Sequence, residues 1–363
     1  MRLILGGTII VNDRKLIKYI NNGQLKHLAI IGMAKNAGKT VTLNNIVEEA
    51  TDEKLKLALI SYGRDGEEID AITRQEKPRI YIPPHTYFVT ASKAYFKSDL
   101  AAEVVAQTGI SSLMGEVTLY ESLNEGGYIE LVGINSAPRV REIKDLIPDE
   151  TDLILIDGAL DRRSSAMPSL TEGFILATGA VVGNTEKLVI EKTMHEVRRL
   201  TISESENLQL RKKARKLFKK GYDGILYNNG EVDILTSRTS FGHISEIAKK
   251  DSKNIRALFF NGALINSFIE KILYRLEISD CDIIVRDGTR VFLNKRNLNL
   301  LEKSAISLSV LNSIRLLAVT VNPTSPYGVK LNSDKLVYDL RKNLKDIPIH
   351  DIMSQKYQSI RGD

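Results

Sequence analysis

The chain has 363 residues, with 51 Lys and Arg against 45 Asp and Glu, a net charge of +6. Its 43% hydrophobic and 26% charged content is that of a globular protein and excludes disorder along most of the chain, and no apolar run nears the ~18 residues of a membrane span. The single cysteine, Cys281, excludes an intramolecular disulfide and any multi-cysteine metal site, and His27, His85, His195, His243 and His350 form no ligand pair in sequence. Residues Met1 to Asn12 lack the basic, apolar and cleavage regions of a secretory signal, so the expected location is the reducing cytoplasm.

In chain order, Leu28–Ile31 reads as a buried strand that runs into a glycine-rich turn, and Val41–Ala50 as the helix after it. Leu57–Ser61 and Arg79–Ile82 read as strands, the second stopped by Pro83 and Pro84. Asp99–Gln107 reads as helix, and Ile129–Ile134, Leu153–Ile156 and Phe174–Ala177 as strands. Continuous apolar strands alternating with helices predict an α/β fold with a mainly parallel sheet covered by helices on both faces.

Lys187–Lys220 has a charged, helical pattern, with Ser203–Glu206 capping a second helix that Gly221 ends. A domain boundary is expected there, giving 1–210 and 211–363. Beyond it, Asn228-Asn229-Gly230 between Ile225–Tyr227 and Val232–Leu235 is a hairpin signal. Ala257–Phe260, Ile283–Arg286 and Leu316–Val321 read as strands, and Asp287-Gly288 before Val291–Leu293 as a second tight reversal. The C-terminal part is thus expected to be α/β with hairpins.

The charge surplus has one source. Arg211–Lys220 holds seven basic residues and no acidic one, and the rest of the chain carries 44 basic against 45 acidic residues. A basic domain for nucleic acid is therefore not what the +6 describes. What remains is a local contact for an acidic partner face. Cations near a helix C-terminus also suit its macrodipole.

Gly32-Met33-Ala34-Lys35-Asn36-Ala37-Gly38-Lys39-Thr40 fits the phosphate-loop pattern G-x-x-x-x-G-K-[ST], a P-loop or Walker A motif. Average glycine usage gives a chance match in on the order of one chain in a hundred of this length. Here the match also stands between a strand and a helix, as the mechanism requires. Glycines let the backbone approach oxygens closely, and successive amides with the helix N-terminus form an anion nest. Gly32, Lys35, Asn36, Ala37, Gly38, Lys39, Thr40 and Val41 are the expected nucleotide contacts. Lys39 is expected to reach the β/γ-phosphates, and the Thr40 hydroxyl to bind Mg²⁺.

Asp157 ends the apolar run Leu153–Ile156 and is the expected Walker B carboxylate, a second Mg²⁺ ligand. The competing reading is a strand-end Asp that turns the chain with Gly158. Asp161, Arg162 and Arg163 follow, with Arg162 a candidate clamp on the γ-phosphate. Ser61–Glu68 follows another strand. There Arg64 is placed for phosphate, and Asp65 or Glu67 for water or Mg²⁺; a solvated charged turn fits both of these clusters as well. Thr178-Gly179-Ala180 is a candidate cleft lining. Asn322, before Pro323, is a candidate contact for the nucleotide base, with an Asn-Pro turn the plainer reading. Lys35 is not at the position of the extra lysine in ParA/MinD-like loops.

In this order, the loop, Gly63-Arg64-Asp65-Gly66-Glu67, Arg79–Pro84, Ile134–Pro138, Asp157–Ser164 and Ala177–Ala180 resemble one family: the P-loop subunit of the reactivase for lysine 5,6-aminomutase and related ornithine aminomutases. The resemblance covers residues 28 to 200, and later only Thr320 to Pro326. It implies a P-loop NTPase fold with ATP or GTP and Mg²⁺ as cofactors. It also implies a MutS-like ATPase as companion and a cobalamin- and PLP-dependent aminomutase as client. His85 departs from the pattern, which leads one to expect glycine after the two prolines. Two other readings are a self-contained ATP-dependent enzyme, a small-molecule kinase or carboxylate ligase, and a nucleic-acid-associated ATPase, which only the basic balance suggests.

Overall fold

The uninterrupted apolar runs form the middle of a large sheet, because a strand covered on both faces needs apolar side chains at every position. The computed structural model describes residues 15–63, 79–132, 134, 136–158, 167–237, 240–250, 254–275, 278 and 280–353.

The chain begins with α1 (Leu16–Asn22), β1 (His27–Gly32), α2 (Lys39–Asp52), β2 (Leu57–Tyr62), β3 (Ile80–Ile82), β4 (Tyr87–Ala91) and α3 (Ser92–Phe96). Next come β5 (Ala102–Ser112), β6 (Gly115–Ser122), β7 (Gly127–Ile129), α4 (Ala137–Lys144), β8 (Leu153–Gly158), β9 (Gly173–Gly179) and α5 (Glu186–Leu200). They are followed by α6 (Leu208–Lys219), β10 (Asp223–Tyr227), β11 (Val232–Leu235), α7 (Ser240–Ile247), β12 (Ile255–Phe260), β13 (Leu264–Ile265) and α8 (Asn266–Arg275). The last elements are β14 (Cys281–Val285), β15 (Val291–Phe292), α9 (Lys295–Glu302), β16 (Ile306–Val310), β17 (Arg315–Asn322), α10 (Ser333–Asn343) and β18 (Ile349–Asp351).

The chain divides into two units. One comprises residues up to 166, 170–189 and those from 317 on; the other comprises 167–169 and 190–316. The boundary expected at 210/211 is thus displaced, and 211–363 is not one region. Strands β17 and β18 belong to the large sheet of the first unit, a long-range pairing that no local pattern announces.

That sheet has nine strands in the order β18-β17-β9-β1-β8-β2-β4-β6-β5. Strand β1 runs parallel to β8 and β9, β2 parallel to β8 and β4, and β17 parallel to β18. The β4-β6-β5 edge is antiparallel, so the sheet is mixed. Alternate residues feed opposite cores. Leu57, Leu59, Leu153 and Leu155 pack with Leu43, Ile46 and Val47 of α2, whereas Ala58, Ile60, Ile154 and Ile156 pack with Val140 and Ile143 of α4.

Three expected elements differ. Asp99–Gln107 is not a helix; β5 occupies most of it. Its β-branched Val104, Val105, Thr108 and Ile110 favour the pleat, and register shifts at Val104/Ala106 and Gln107/Ile110 break the alternation that would betray a strand. Among the described residues of Ile129–Ile134, Ile129 ends a strand and Ile134 makes an isolated parallel bridge to Tyr62; Leu131 and Val132 are apolar because the two cores bury them. Ile80–Ile82 is a strand, but it pairs with β7 outside the large sheet. His85 takes the left-handed backbone, φ +55°, at the place where glycine is expected, and its N–H donates to the Ser122 carbonyl at 3.1 Å.

Helix α1 has no side-chain cap of its own. Glu49, buried on α2, accepts from the Ile17 N–H at 2.8 Å. Burial pushes the Glu49 carboxyl up, and the α1 amides draw it back. Glu49→Ala is expected to cost about 1–3 kcal/mol by orphaning buried donors, measured by urea unfolding; an unchanged midpoint would refute the cross-helix cap.

The second unit has a five-stranded sheet, β11-β10-β12-β14-β16. Strands β12, β14 and β16 are parallel, and β10 is antiparallel to both β11 and β12. The Asn229-Gly230 hairpin forms as expected, with Gly230 at φ +90°. The reversal expected at Asp287-Gly288 does not. Asp287 accepts from the Thr289 N–H at 3.0 Å and starts a short 3₁₀ turn, so β15 leaves to pair with β13. The cap of α6 is Asn207, which bonds the Gln209 and Leu210 amides, rather than Ser203–Glu206. Helix α6 buries Leu210, Ala214, Leu217 and Phe218 and leaves Lys212, Arg215, Lys216 and Lys219 exposed, which places the surplus charge on one helix face.

Cys281 is buried in the core at the start of β14, and burial pushes its thiol up to about 12. It is expected to ignore Ellman's reagent at pH 8 until the protein unfolds; prompt labelling of the native protein would contradict its burial. Among the described residues no helix is long and apolar enough to cross a membrane.

Candidate functional site

The carboxyl ends of β1, β2, β8, β9, β17 and β18 lie along one edge of the first unit's sheet. The connection after β1 crosses β8 to reach β2, while β9 lies on the other side of β1. Chain direction therefore reverses around β1, and a crevice opens outside the strand ends at such a switch point.

The segment from Gly32 to Gly38 bridges β1 and α2 at this switch. Its start is pinned to β9, since the Met33 N–H donates to the Ala177 carbonyl at 2.9 Å. A turn follows, with Ala37 N–H on the Ala34 carbonyl at 3.3 Å. Asn36 at φ +62° and Gly38 at φ +100° curl the backbone into the opening of α2. Gly38 is the N-cap and brings no side chain to the helix end, so no side chain competes there for the first amides. Lys35 lies in the loop, while Thr40 and Val41 are in the first turn of α2.

The two loop glycines are needed for different reasons. A Cβ on Gly32 would stand 2.9 Å from the Lys39 stem, which crosses it. One on Gly38 would stand 2.3 Å from Ile352 Cδ1, at a φ that side chains avoid.

Lys39 Nζ donates to the Gly158 carbonyl at 2.5 Å. This sets the ammonium beside the end of β8, where Asp157 sits in register with Ile30 of β1 and Ser61 of β2. Burial pushes the Asp157 carboxyl above its ordinary value, and the Lys39 charge pulls it partly back. Its Oδ1 is buried with no hydrogen-bond partner among the described residues. An unsatisfied buried carboxylate oxygen costs stability and demands a reason.

No family model, curated protein or solved structure matches this chain.

Asn322, at the end of β17, does lie beside the loop. Its Nδ2 donates to the Asn36 carbonyl at 3.3 Å, and its Oδ1 accepts from Thr324 N–H at 3.1 Å and Thr324 Oγ1 at 2.9 Å. Both ends of the side chain thus serve local structure, which favours a turn and brace over a base contact. Thr178-Gly179-Ala180 lies at the same edge, with Ala180 N–H on the Asn322 carbonyl at 2.8 Å. Arg64, Asp65, Glu67, Asp161, Arg162 and Arg163 fall outside the described residues.

Two contributions to the edge have no local sequence signal. Thr42 of α2 and Thr320 of β17 share a buried hydroxyl pair at 2.8 Å, and Ile352 beyond β18 packs on Gly38. Among the described residues no group of three or more His, Cys, Asp or Glu is placed to hold a metal ion. Among the described residues the edge therefore offers the Lys39 ammonium, the buried Asp157 carboxyl and a helix start with no side-chain cap, a set suited to an anion that brings a cation with it.

Proposed function

We propose that this chain is a P-loop protein that binds a nucleoside triphosphate with Mg²⁺ at the Gly32–Thr40 loop, and that it serves as the nucleotide-driven subunit of a reactivase for a cobalamin- and PLP-dependent aminomutase. The observation that carries the nucleotide reading is the convergence of Lys39 and Asp157 at the mouth of the loop, with the Asp157 oxygen left unsatisfied. The switch-point position of β1 supports the same reading.

The residues present fit the proposed group. Mg²⁺ is commonly held by one or two protein oxygens together with phosphates and water, so the lack of a cluster of three or more acidic or imidazole ligands is no obstacle. Thr40 and Asp157 are the residues that would hold it, directly or through water. When bound, the cation neutralises phosphate charge and polarises the terminal phosphoryl group. The chain's own part is to orient. The loop amides and the start of α2 receive phosphate oxygens, and Lys39 exchanges the Gly158 carbonyl for a β/γ-phosphate oxygen.

The reactivase role rests on the motif order described above, a family resemblance rather than chemistry. Its physical logic is differential binding. A client that retains a damaged cofactor must be driven between two conformations, and only a ligand that binds the two states unequally does so. A γ-phosphate present in one nucleotide and absent from the other supplies that inequality. Calorimetric titration with Mg·ATP and Mg·GTP tests the site and chooses the base. Recovery of inactivated aminomutase by the MutS-like companion and ATP, with and without this chain, tests the role. Equal recovery rejects the reactivase and leaves the nucleotide site standing.

A further inference from the structure

We propose that Asn322 is a positioning residue for the glycine-rich loop, holding the Asn36 carbonyl so that the loop is preset before any ligand arrives; the role in ligand affinity rests on the nucleotide reading above. Asn36 has a left-handed backbone, φ +62°, in the middle of the loop, a conformation that asparagine tolerates but does not prefer outright. The bend is held from outside the loop, where the Asn36 carbonyl accepts from the Asn322 amide at 3.3 Å.

The brace is itself braced. Thr324 donates twice to Asn322 Oδ1, which fixes which end of the amide faces the loop. The Asn322 backbone is anchored from the other side, because its carbonyl accepts from Ala180 and lies so close to Gly179 that a Cβ there would stand 1.9 Å from it. Gly179, at φ +153°, is the residue that permits this approach. The end of β9, the end of β17 and the loop are therefore tied at one residue. Thr320, two residues earlier, makes the parallel tie to α2 through Thr42. A geometry held in advance lowers the ordering cost of binding, so the brace acts on affinity without touching the ligand.

Asn322→Asp separates the two functions of the side chain. It keeps an acceptor for Thr324 and replaces the donor facing Asn36 by an oxygen. Hydrogen exchange of the ligand-free protein is the first readout. Amides of residues 33–38 are expected to exchange about tenfold faster, with the strand amides of β1 and β8 unchanged. The second is calorimetry, where Mg·ATP affinity is expected to fall about tenfold. Thr324→Val, which only removes one donor that orients Asn322, should give a smaller change of the same sign and serves if the aspartate variant does not fold. Unchanged exchange at 33–38 in a folded variant overturns the brace. If exchange rises but the wild type binds neither ATP nor GTP, the brace stands as loop structure and the nucleotide reading falls.

Discussion

Lys39→Ala is expected to weaken Mg·ATP binding at least a hundredfold while the protein keeps its fold. The side chain crosses Gly32 and ends on the Gly158 carbonyl at 2.5 Å, a position dictated by the loop rather than by packing. Two unit charges about 4 Å apart interact by about 4 kcal/mol at the effective dielectric near a protein surface, and each 1.4 kcal/mol is a factor of ten. Loss of the ammonium from a site proposed to take a highly charged triphosphate therefore exceeds two decades. The fold is spared because Leu43, Ile46 and Val47, not Lys39, anchor α2 to the sheet. Calorimetry with circular dichroism on the same samples decides the matter. Equal affinity in the wild type and a folded variant would remove the nucleotide site.

The sequence made the site's frame legible because the frame is local. A strand buried on both faces must be apolar throughout, so β1, β2, β8 and β9 stand out as Leu, Ile and Ala runs, and the loop between β1 and α2 has a fixed spacing. The Asn229-Gly230 hairpin was readable for a similar reason, since its turn chemistry lies within the turn. What stayed hidden is non-local or irregular. Strand β17 looks like any apolar strand, and nothing in Leu316–Val321 tells that it leaves β16, the strand before it, to lie beside β9. That pairing brings Thr320 to Thr42, Asn322 to Asn36 and Ile352 to Gly38, and so completes the loop's surroundings from the far end of the chain. Strand β5 was hidden by its own register shifts, which turned a period of two into spacings that resemble a helix.

On the proposal that the site also hydrolyses its nucleotide with Mg²⁺, Asp157→Asn is expected to cut that hydrolysis at least a hundredfold, and yet to stabilise the ligand-free protein by about 1 kcal/mol at neutral pH. The two effects have one cause. Burial raises the Asp157 carboxyl above its ordinary value, so the folded state holds the proton more tightly than the unfolded chain does. Wild-type stability from this group is then present at low pH and is lost as pH rises from the ordinary carboxylate value through the raised folded one. Asparagine does not titrate, so the stability gap between variant and wild type should open over that same rise and close below it. The nearby Lys39 charge lowers the Asp157 carboxyl and keeps the gap modest. Melting temperatures of both proteins across acid to neutral pH, beside hydrolysis rates with saturating Mg²⁺, measure the two predictions separately. A variant less stable than the wild type at neutral pH would make the buried carboxylate a structural group. A variant that hydrolyses normally would remove Asp157 from the metal's ligands. The combination expected here, a more stable but inactive protein, is the behaviour of a residue whose buried carboxyl is kept for function at the expense of stability.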